Sequence, residues 1–121
     1  MARILIVDDN FNDLNAMKDA LTSAGHEVEA ATNAYQALLL LEGCGFDLAL
    51  IDLNLTSTKG DSLASKIREV SNPRTCDNPV KIAYVTITPK SKVDMKNADG
   101  FIQKPFDSKT LISSVKEILK K

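Results

Sequence analysis

The sequence is poor in the residues that build metal sites and disulfide frameworks. His26 is its only histidine, which argues against a zinc site, a Ser-His-Asp triad and a histidine that itself carries phosphate. Its two cysteines, Cys44 and Cys76, lie far apart and outside any CxxC pattern, so we expect free, inert thiols. Free thiols are typical of a reducing compartment and favour a cytoplasmic location.

Long apolar runs and an excess of charge of one sign are also missing. No segment is long enough to span a bilayer, and the amino terminus lacks a signal-peptide pattern, so we expect no membrane insertion. The formal net charge is −1, and the basic residues are scattered apart from Lys120 and Lys121, so we expect no direct binding of nucleic acid. With 121 residues, of which 44% are hydrophobic, residues 1–121 are predicted to form a single domain.

Two short apolar runs end abruptly in acids. Residues 48–51 lead into Asp52, and residues 3–7 lead into Asp8 and Asp9. Runs of this length without polar alternation are typical of strands that are buried on both faces. We therefore expect the three carboxylates to lie where each strand leaves the core.

Strand and helix patterns alternate along the rest of the chain, which predicts an α/β fold with a parallel sheet and helices on both of its faces. Further strands are expected at residues 26–31, 80–86 and 100–103, and Asn33 and Asp107 are suited to cap helices. Residues 26–31 alternate polar and apolar side chains, as an edge strand does, which favours the strand order 2-1-3-4-5 of a flavodoxin-like, doubly wound sheet with five strands.

The segment between residues 88 and 98 is weak in apolar side chains. Only Val93 and Met95 offer contacts to a core there. The fourth helix of such a fold is therefore expected to be short or irregular.

In this strand order the carboxyl ends of the first and third strands meet at the topological switch point, where open α/β sheets bind ligands. At about 4 Å and an effective dielectric constant near 20, each pair of like charges among Asp8, Asp9 and Asp52 would repel by roughly 4 kcal/mol. A bound cation relieves that repulsion. Oxygen ligands without histidine favour Mg²⁺.

Two further groups follow neighbouring strands. Thr86 ends the fourth strand and offers a hydroxyl group, and Lys104 follows the fifth and offers an ammonium group. A metal ion, a cation and a hydroxyl around a carboxylate suit phosphoryl transfer onto that carboxylate. The Lys104–Pro105 bond is also a candidate for a cis peptide bond.

The site candidates and their neighbours form an ordered set of motifs: Val7-Asp8-Asp9, Asp52 with Asn54 and Gly60 behind it, Thr86, and Lys104-Pro105-Phe106. Together these motifs resemble the receiver domain of two-component response regulators, of the single-domain chemotaxis or phosphorelay type. The likeness covers almost the whole chain, and the ordered set is far more specific than any one of its members.

The resemblance implies a role for each matching position. Asp52 would accept phosphate from a phosphohistidine of a histidine kinase or phosphotransfer protein, with Lys104 and Thr86 holding the phosphoryl oxygens. Asp9 would bind Mg²⁺ directly and Asp8 mainly through water, and the main-chain carbonyl of Asn54 would complete the protein ligands. Phe101 would move inward with Thr86 and so alter the surface that a downstream protein target reads. Catalysis would be limited to self-catalysed phosphotransfer and autodephosphorylation.

The sequence departs from the receiver pattern at several positions. After the position of Asp52 most members have a Met-Pro pair, whereas here Leu55 is followed by Thr56-Ser57-Thr58, so the loop lacks the stiffness of proline. Ile87 replaces the usual small residue after the switch threonine. We hypothesise that Ile87 shields an acyl phosphate from water. The interval from Thr86 to Lys104 is several residues short, and Thr88 is an alternative switch hydroxyl.

Two other functions stay open at this point. Asp52-Leu-Asn54-Leu-Thr56 resembles the DxDxT motif of haloacid-dehalogenase-type phosphatases, but Asn54 replaces the second acid and the chain has no room for a cap domain. A pseudo-receiver that serves only as a binding module is the other alternative. The presence of all the acids together with Thr86 and Lys104 speaks against it.

Overall fold

A computed structural model describes residues 1–55 and 59–121. These residues form a parallel sheet flanked by helices. In chain order the elements are β1 (Arg3–Val7), α1 (Phe11–Ser23), β2 (Glu27–Ala31), α2 (Ala34–Leu41), β3 (Leu48–Asp52), α3 (Gly60–Val70), β4 (Lys81–Thr86), a 3₁₀ turn (Lys90–Lys92), β5 (Gly100–Gln103) and α4 (Ser108–Lys120). None of the helices in the described ranges is both long and apolar enough to cross a membrane.

The five strands are all parallel and lie in the order β2-β1-β3-β4-β5, as predicted. The strand β2 is at an edge and alternates exposed and half-buried residues over most of its length, whereas all five residues of β3 are buried. The flavodoxin-like fold expected from the alternation of strands and helices is therefore confirmed.

The core consists of two apolar layers, one on each face of the sheet. Leu5 and Val7 of β1 point into the layer covered by α2 and α3, and Ile4 and Ile6 point into the layer covered by α1 and α4. This alternation follows from the two-residue period of a strand.

The predicted helix caps are present. The backbone N–H of Gln36 donates to Asn33 Oδ1 at 2.9 Å, and that of Thr110 donates to Asp107 Oδ1 at 2.7 Å. Between β4 and β5, where the sequence predicted a short or irregular helix, the chain forms one 3₁₀ turn. That prediction is confirmed.

The prediction of free thiols is wrong, because Cys44 and Cys76 form a disulfide bond. Cys44 follows α2 and Cys76 follows α3, and both helices run back toward the amino-terminal ends of the strands. The two loops therefore meet at the same edge of the molecule, although the cysteines are 32 residues apart in sequence. Spacing along the chain carries no signal of such a contact.

Candidate functional site

The carboxyl ends of β1 and β3 bring Asp8, Asp9 and Asp52 together. These strands are neighbours in the sheet, and Val7 pairs with Ile51 immediately before the acids. One carboxylate oxygen from each acid lies within 4.8 Å of the others. The predicted acidic pocket is therefore present at the carboxyl-terminal edge of the sheet.

Asp52 is the last residue of β3 and is only 7% exposed. Its Oδ1 accepts a hydrogen bond from the backbone N–H of Asn54 at 2.9 Å. Helix α3 begins directly against it, since a Cβ built on Gly60 would lie 2.6 Å from the carbonyl oxygen of Asp52. The lack of a side chain at Gly60 lets the helix start close behind the end of the strand.

Asp8 is fully buried beside Asp52. Its Oδ1 accepts a hydrogen bond from the backbone N–H of Asn10 at 2.9 Å, and its Oδ2 accepts one from Lys104 Nζ at 3.0 Å. Burial raises the pKa of the Asp8 carboxyl above its ordinary value, with a smaller contribution from the charge of Asp52, and the two hydrogen bonds offset part of that rise. Both oxygens of Asp8 thus already have protein partners.

Lys104 follows β5 and reaches into the same pocket, where its side chain is 11% exposed. Its Nζ lies 2.8 Å from Asp13 Oδ2, 3.0 Å from Asp8 Oδ2 and 3.6 Å from Asp52 Oδ2. Burial by itself lowers the pKa of Lys104, but the hydrogen bonds to Asp13 and Asp8 and the charge of Asp52 outweigh it, so the pKa is raised. The ammonium group is therefore charged at neutral pH. The predicted cis peptide bond before Pro105 is present.

Asp13 is the member of this site that the sequence patterns did not indicate. It lies in the first turn of α1, where Asn10 Oδ1 caps the helix by accepting a hydrogen bond from the Asp13 backbone N–H at 3.0 Å. An acid in that position is typical of a side chain that interacts with the helix dipole. Its place in the first helical turn after the Asp8-Asp9 pair is the one sequence signal that it could lie near the pocket.

Thr86 is fully buried at the end of β4. Its Oγ1 accepts hydrogen bonds from Asn54 Nδ2 and from the backbone N–H of Thr88, both at 3.1 Å. Asn54 therefore links Asp52 to Thr86, because its backbone contacts the first residue and its side chain the second. Thr88 lies beyond the strand, so Thr86 remains the better placed candidate for the switch hydroxyl.

The remaining candidates lie around the rim. Phe101 pairs with Tyr84 across β4 and β5 and is half-buried against the apolar layer that α2 and α3 cover. Ile87 follows Thr86 directly and is 70% exposed. The segment Thr56-Ser57-Thr58 lies outside the residues that the structure describes.

The donor set fits a hard divalent cation. Asp8, Asp9 and Asp52 each offer a carboxylate oxygen, and these oxygens lie close enough to share one ion. Magnesium is typically held by one or two carboxylates together with water and phosphate oxygens. An oxygen-only cluster that opens at the edge of the sheet matches that preference.

Comparison with known proteins gives the family. The family model for the response regulator receiver domain matches residues 4–116. The nisin biosynthesis regulatory protein NisR of Lactococcus lactis subsp. lactis is 32% identical over 125 aligned residues, which cover 98% of this chain and 51% of that protein. The chain spans about half the length of the curated relatives it matches.

Solved structures agree with this family. The chemotaxis response regulator CheY4 of Vibrio cholerae superposes with a TM-score of 0.85 at 28% identity, and the match covers 98% of each chain. The response regulator TrrA of Thermotoga maritima, determined in complex with Mg²⁺ and BeF, has a TM-score of 0.81 at 29% identity over 98% of this chain and 99% of that one. The family match covers nearly the whole chain and includes the acidic pocket. The chain therefore belongs to the response regulator receiver domain family.

Proposed function

We propose that this receiver domain accepts a phosphoryl group on Asp52 from a phosphohistidine of a sensor kinase or phosphotransfer protein. One observation carries the proposal. The Asp52 carboxylate lies at the carboxyl end of β3, beside the oxygens of Asp8 and Asp9 and 3.6 Å from the ammonium group of Lys104. A carboxylate beside a cation and metal-binding oxygens suits phosphoryl transfer.

Mg²⁺ is the proposed cofactor. Asp9, Asp52 and the main-chain carbonyl of Asn54 would hold it directly, and Asp8 would do so through water. The hydrogen bonds that both Asp8 oxygens already accept support this indirect role. When bound, the ion would neutralise part of the negative charge of the carboxylates and of the incoming phosphoryl oxygens.

In the proposed step, the bond between phosphorus and the imidazole nitrogen of the donor breaks as a bond from phosphorus to an Asp52 oxygen forms. The imidazole leaves with the electron pair of the broken bond and takes up a proton. Lys104 donates hydrogen bonds to the phosphoryl oxygens, which disperses their charge. The groups that assist the transfer belong to the receiver domain itself, so we propose no enzymatic activity beyond phosphotransfer and autodephosphorylation.

The signal would leave the site through Thr86 and Phe101. The Thr86 hydroxyl accepts two hydrogen bonds and still has its own proton to donate to a phosphoryl oxygen. Its movement toward Asp52 would open space that the half-buried ring of Phe101 can fill. The surface of β4 and β5 would then change in a way that a downstream protein can read.

At the level of the whole chain, we propose a single receiver domain over residues 1–121 that works in the cytoplasm without binding nucleic acid or inserting into a membrane. The location rests on the family alone. Cys44 and Cys76 are bonded to each other and disulfides are rare in the cytosol, so the cysteines do not support this location.

We also propose that Ile87 slows loss of the phosphoryl group, because its exposed side chain stands next to Thr86. The variant Ile87→Ala should dephosphorylate severalfold faster than the wild type in an assay that follows the phosphorylated protein with time. Leu39→Ala, which shortens an exposed aliphatic side chain on α2, is the matched control and should leave the rate unchanged. An unchanged rate for Ile87→Ala would exclude this role.

The decisive experiment compares the wild type with Asp52→Asn and with Asp19→Asn, which removes a carboxylate from the exposed side of α1. Each protein is incubated with a panel of phosphorylated histidine kinases and Mg²⁺, and separately with Mg²⁺ and beryllofluoride. The wild type and Asp19→Asn should each gain one phosphoryl group by mass and bind beryllofluoride. Asp52→Asn should do neither, and chelation of Mg²⁺ should prevent both.

Each alternative predicts a different result. Phosphorylation or beryllofluoride binding that persists in Asp52→Asn would exclude Asp52 as the acceptor. A wild type that does neither would be a pseudo-receiver. Continuous turnover of small phosphate esters would instead favour the phosphatase.

A further inference from the structure

Lys104 has a carboxylate partner besides the three predicted acids, namely Asp13. Its shortest contact with an acid in the described structure is the one to Asp13 Oδ2 at 2.8 Å, compared with 3.0 Å to Asp8 and 3.6 Å to Asp52. The first two distances are those of hydrogen bonds, and the third is too long for one. The ammonium group is therefore hydrogen-bonded to Asp13 and Asp8, and it is near the proposed acceptor without being hydrogen-bonded to it.

We propose that Asp13 is a positioning residue that restrains Lys104 and thereby opposes the transfer of its ammonium group to a phosphoryl group on Asp52. This inference rests on the function proposed above. A lysine ammonium is a single point charge with three N–H donors, so anionic oxygens within its reach compete for it. Asp13 shifts that competition toward the unphosphorylated state.

The position of Asp13 suits such a restraint. Capping of α1 by Asn10 fixes the backbone of Asp13, and the helix turn aims its carboxylate at Lys104, which is 91 residues further along the chain. The restraint acts on Lys104, so it disfavours the transfer of the ammonium group to an incoming anion.

The size of the effect follows from exposure. The side chain of Asp13 is 44% exposed, so water and salt screen its interaction with Lys104. Half-exposed ion pairs change an equilibrium by up to about fivefold. The restraint is thus a moderate one, strongest at low ionic strength.

The test measures beryllofluoride affinity at saturating Mg²⁺ and low ionic strength. Asp13→Asn should bind more tightly than the wild type, by up to about fivefold, and the gain should shrink at high salt. Asp13→Glu, which restores the carboxylate, should return toward the affinity of the wild type. Asp19→Asn removes the same charge from an exposed position six residues further along α1 and should behave as the wild type.

A double-mutant cycle separates an effect through Lys104 from a general change in charge or folding. In the Lys104→Met background, the gain from Asp13→Asn should vanish. A gain that persists without Lys104, or an Asp13→Asn variant with unchanged or weaker affinity, would overturn this inference alone. A wild type that does not bind beryllofluoride would overturn the proposed function and this inference with it.

Discussion

At the scale of single residues, Lys104 supplies the positive charge that the buried acids require. Asp8 is fully buried, so water does not solvate its carboxylate. The charged form is stabilised instead by Lys104 and by the backbone N–H of Asn10. A buried charge that loses its partner is costly. The same lysine therefore serves the stability of the site as well as its proposed chemistry.

The variant Lys104→Met should lower the free energy of unfolding by roughly 2 kcal/mol at neutral pH without divalent ions, because it leaves Asp8 buried without a cationic partner. Urea unfolding measures this change. In an Asp8→Asn background the same substitution should cost much less, since residue 8 then carries no buried charge. Equal costs in the two backgrounds would contradict this account.

His26 makes stability depend on pH. Its Nδ1 accepts a hydrogen bond from the backbone N–H of Ala2 at 3.0 Å, so the folded protein holds the neutral ring. Burial, with the charge of the amino terminus, lowers the pKa of His26 below the ordinary value of 6.5. The stability that this residue contributes is therefore present above pH 6.5 and is lost as the pH falls through the lower pKa of the folded state.

We expect the free energy of unfolding of the wild type to decrease from neutral to mildly acidic pH more steeply than that of His26→Asn. Asparagine keeps an acceptor for the Ala2 N–H but does not titrate. Chemical unfolding at a series of pH values measures both slopes. Identical slopes would show that His26 does not titrate differently in the folded and unfolded states.

At the scale of elements, the site depends on how closely α3 approaches the end of β3. A Cβ on Gly60 would lie 2.6 Å from the Asp52 carbonyl oxygen and 2.7 Å from the Leu53 Cα. Both contacts are with backbone, which cannot move aside as a flexible side chain would. The helix and the phosphoacceptor candidate are therefore coupled through one glycine.

Gly60→Ala should destabilise the protein by roughly 1–3 kcal/mol, because the helix or the strand end must shift. It should also weaken beryllofluoride binding, since the shift displaces Asp52. Gly43→Ala is the control, because a Cβ at Gly43 meets no atom within 4 Å. If Gly60→Ala behaves as Gly43→Ala in urea unfolding, the close packing of α3 on β3 does not constrain the site.

At the scale of the whole molecule, different interactions hold the two ends of the sheet, that is, the carboxyl and the amino ends of its strands. Ion pairs and hydrogen bonds join the carboxyl-terminal edge, where the acidic pocket lies. The disulfide between Cys44 and Cys76 joins the loops after α2 and α3 at the opposite edge. The cross-link lies away from the site and stabilises the fold rather than the chemistry.

Reduction of the disulfide should lower the free energy of unfolding by roughly 3–4 kcal/mol, as expected for cross-linked residues 32 positions apart. It should leave beryllofluoride affinity nearly unchanged. The control is the double variant Cys44→Ser/Cys76→Ser, whose unfolding should not respond to reductant. A wild type whose unfolding is equally insensitive would show that the cross-link contributes nothing to stability.

The sequence by itself determined the fold and the three acids of the pocket. Strand and helix periods are local, and the end of an apolar run marks where β1 and β3 leave the core, so Asp8, Asp9 and Asp52 could be assigned to one edge of a parallel sheet. The cap residues Asn33 and Asp107 were predictable for the same reason. Each acts on backbone groups only three residues away.

Only the tertiary structure decided which distant side chains meet. Asp13 and Lys104 are 91 residues apart, and Cys44 and Cys76 are 32 apart, so no local period relates the members of either pair. The first contact depends on how far the Lys104 side chain reaches from the end of β5 toward α1, and the second on where two loops turn. The packing of the whole chain sets both. The sequence therefore determined that the three acids and Lys104 reach the site. The packing of the chain decided that Asp13 joins them and how one ammonium group is shared.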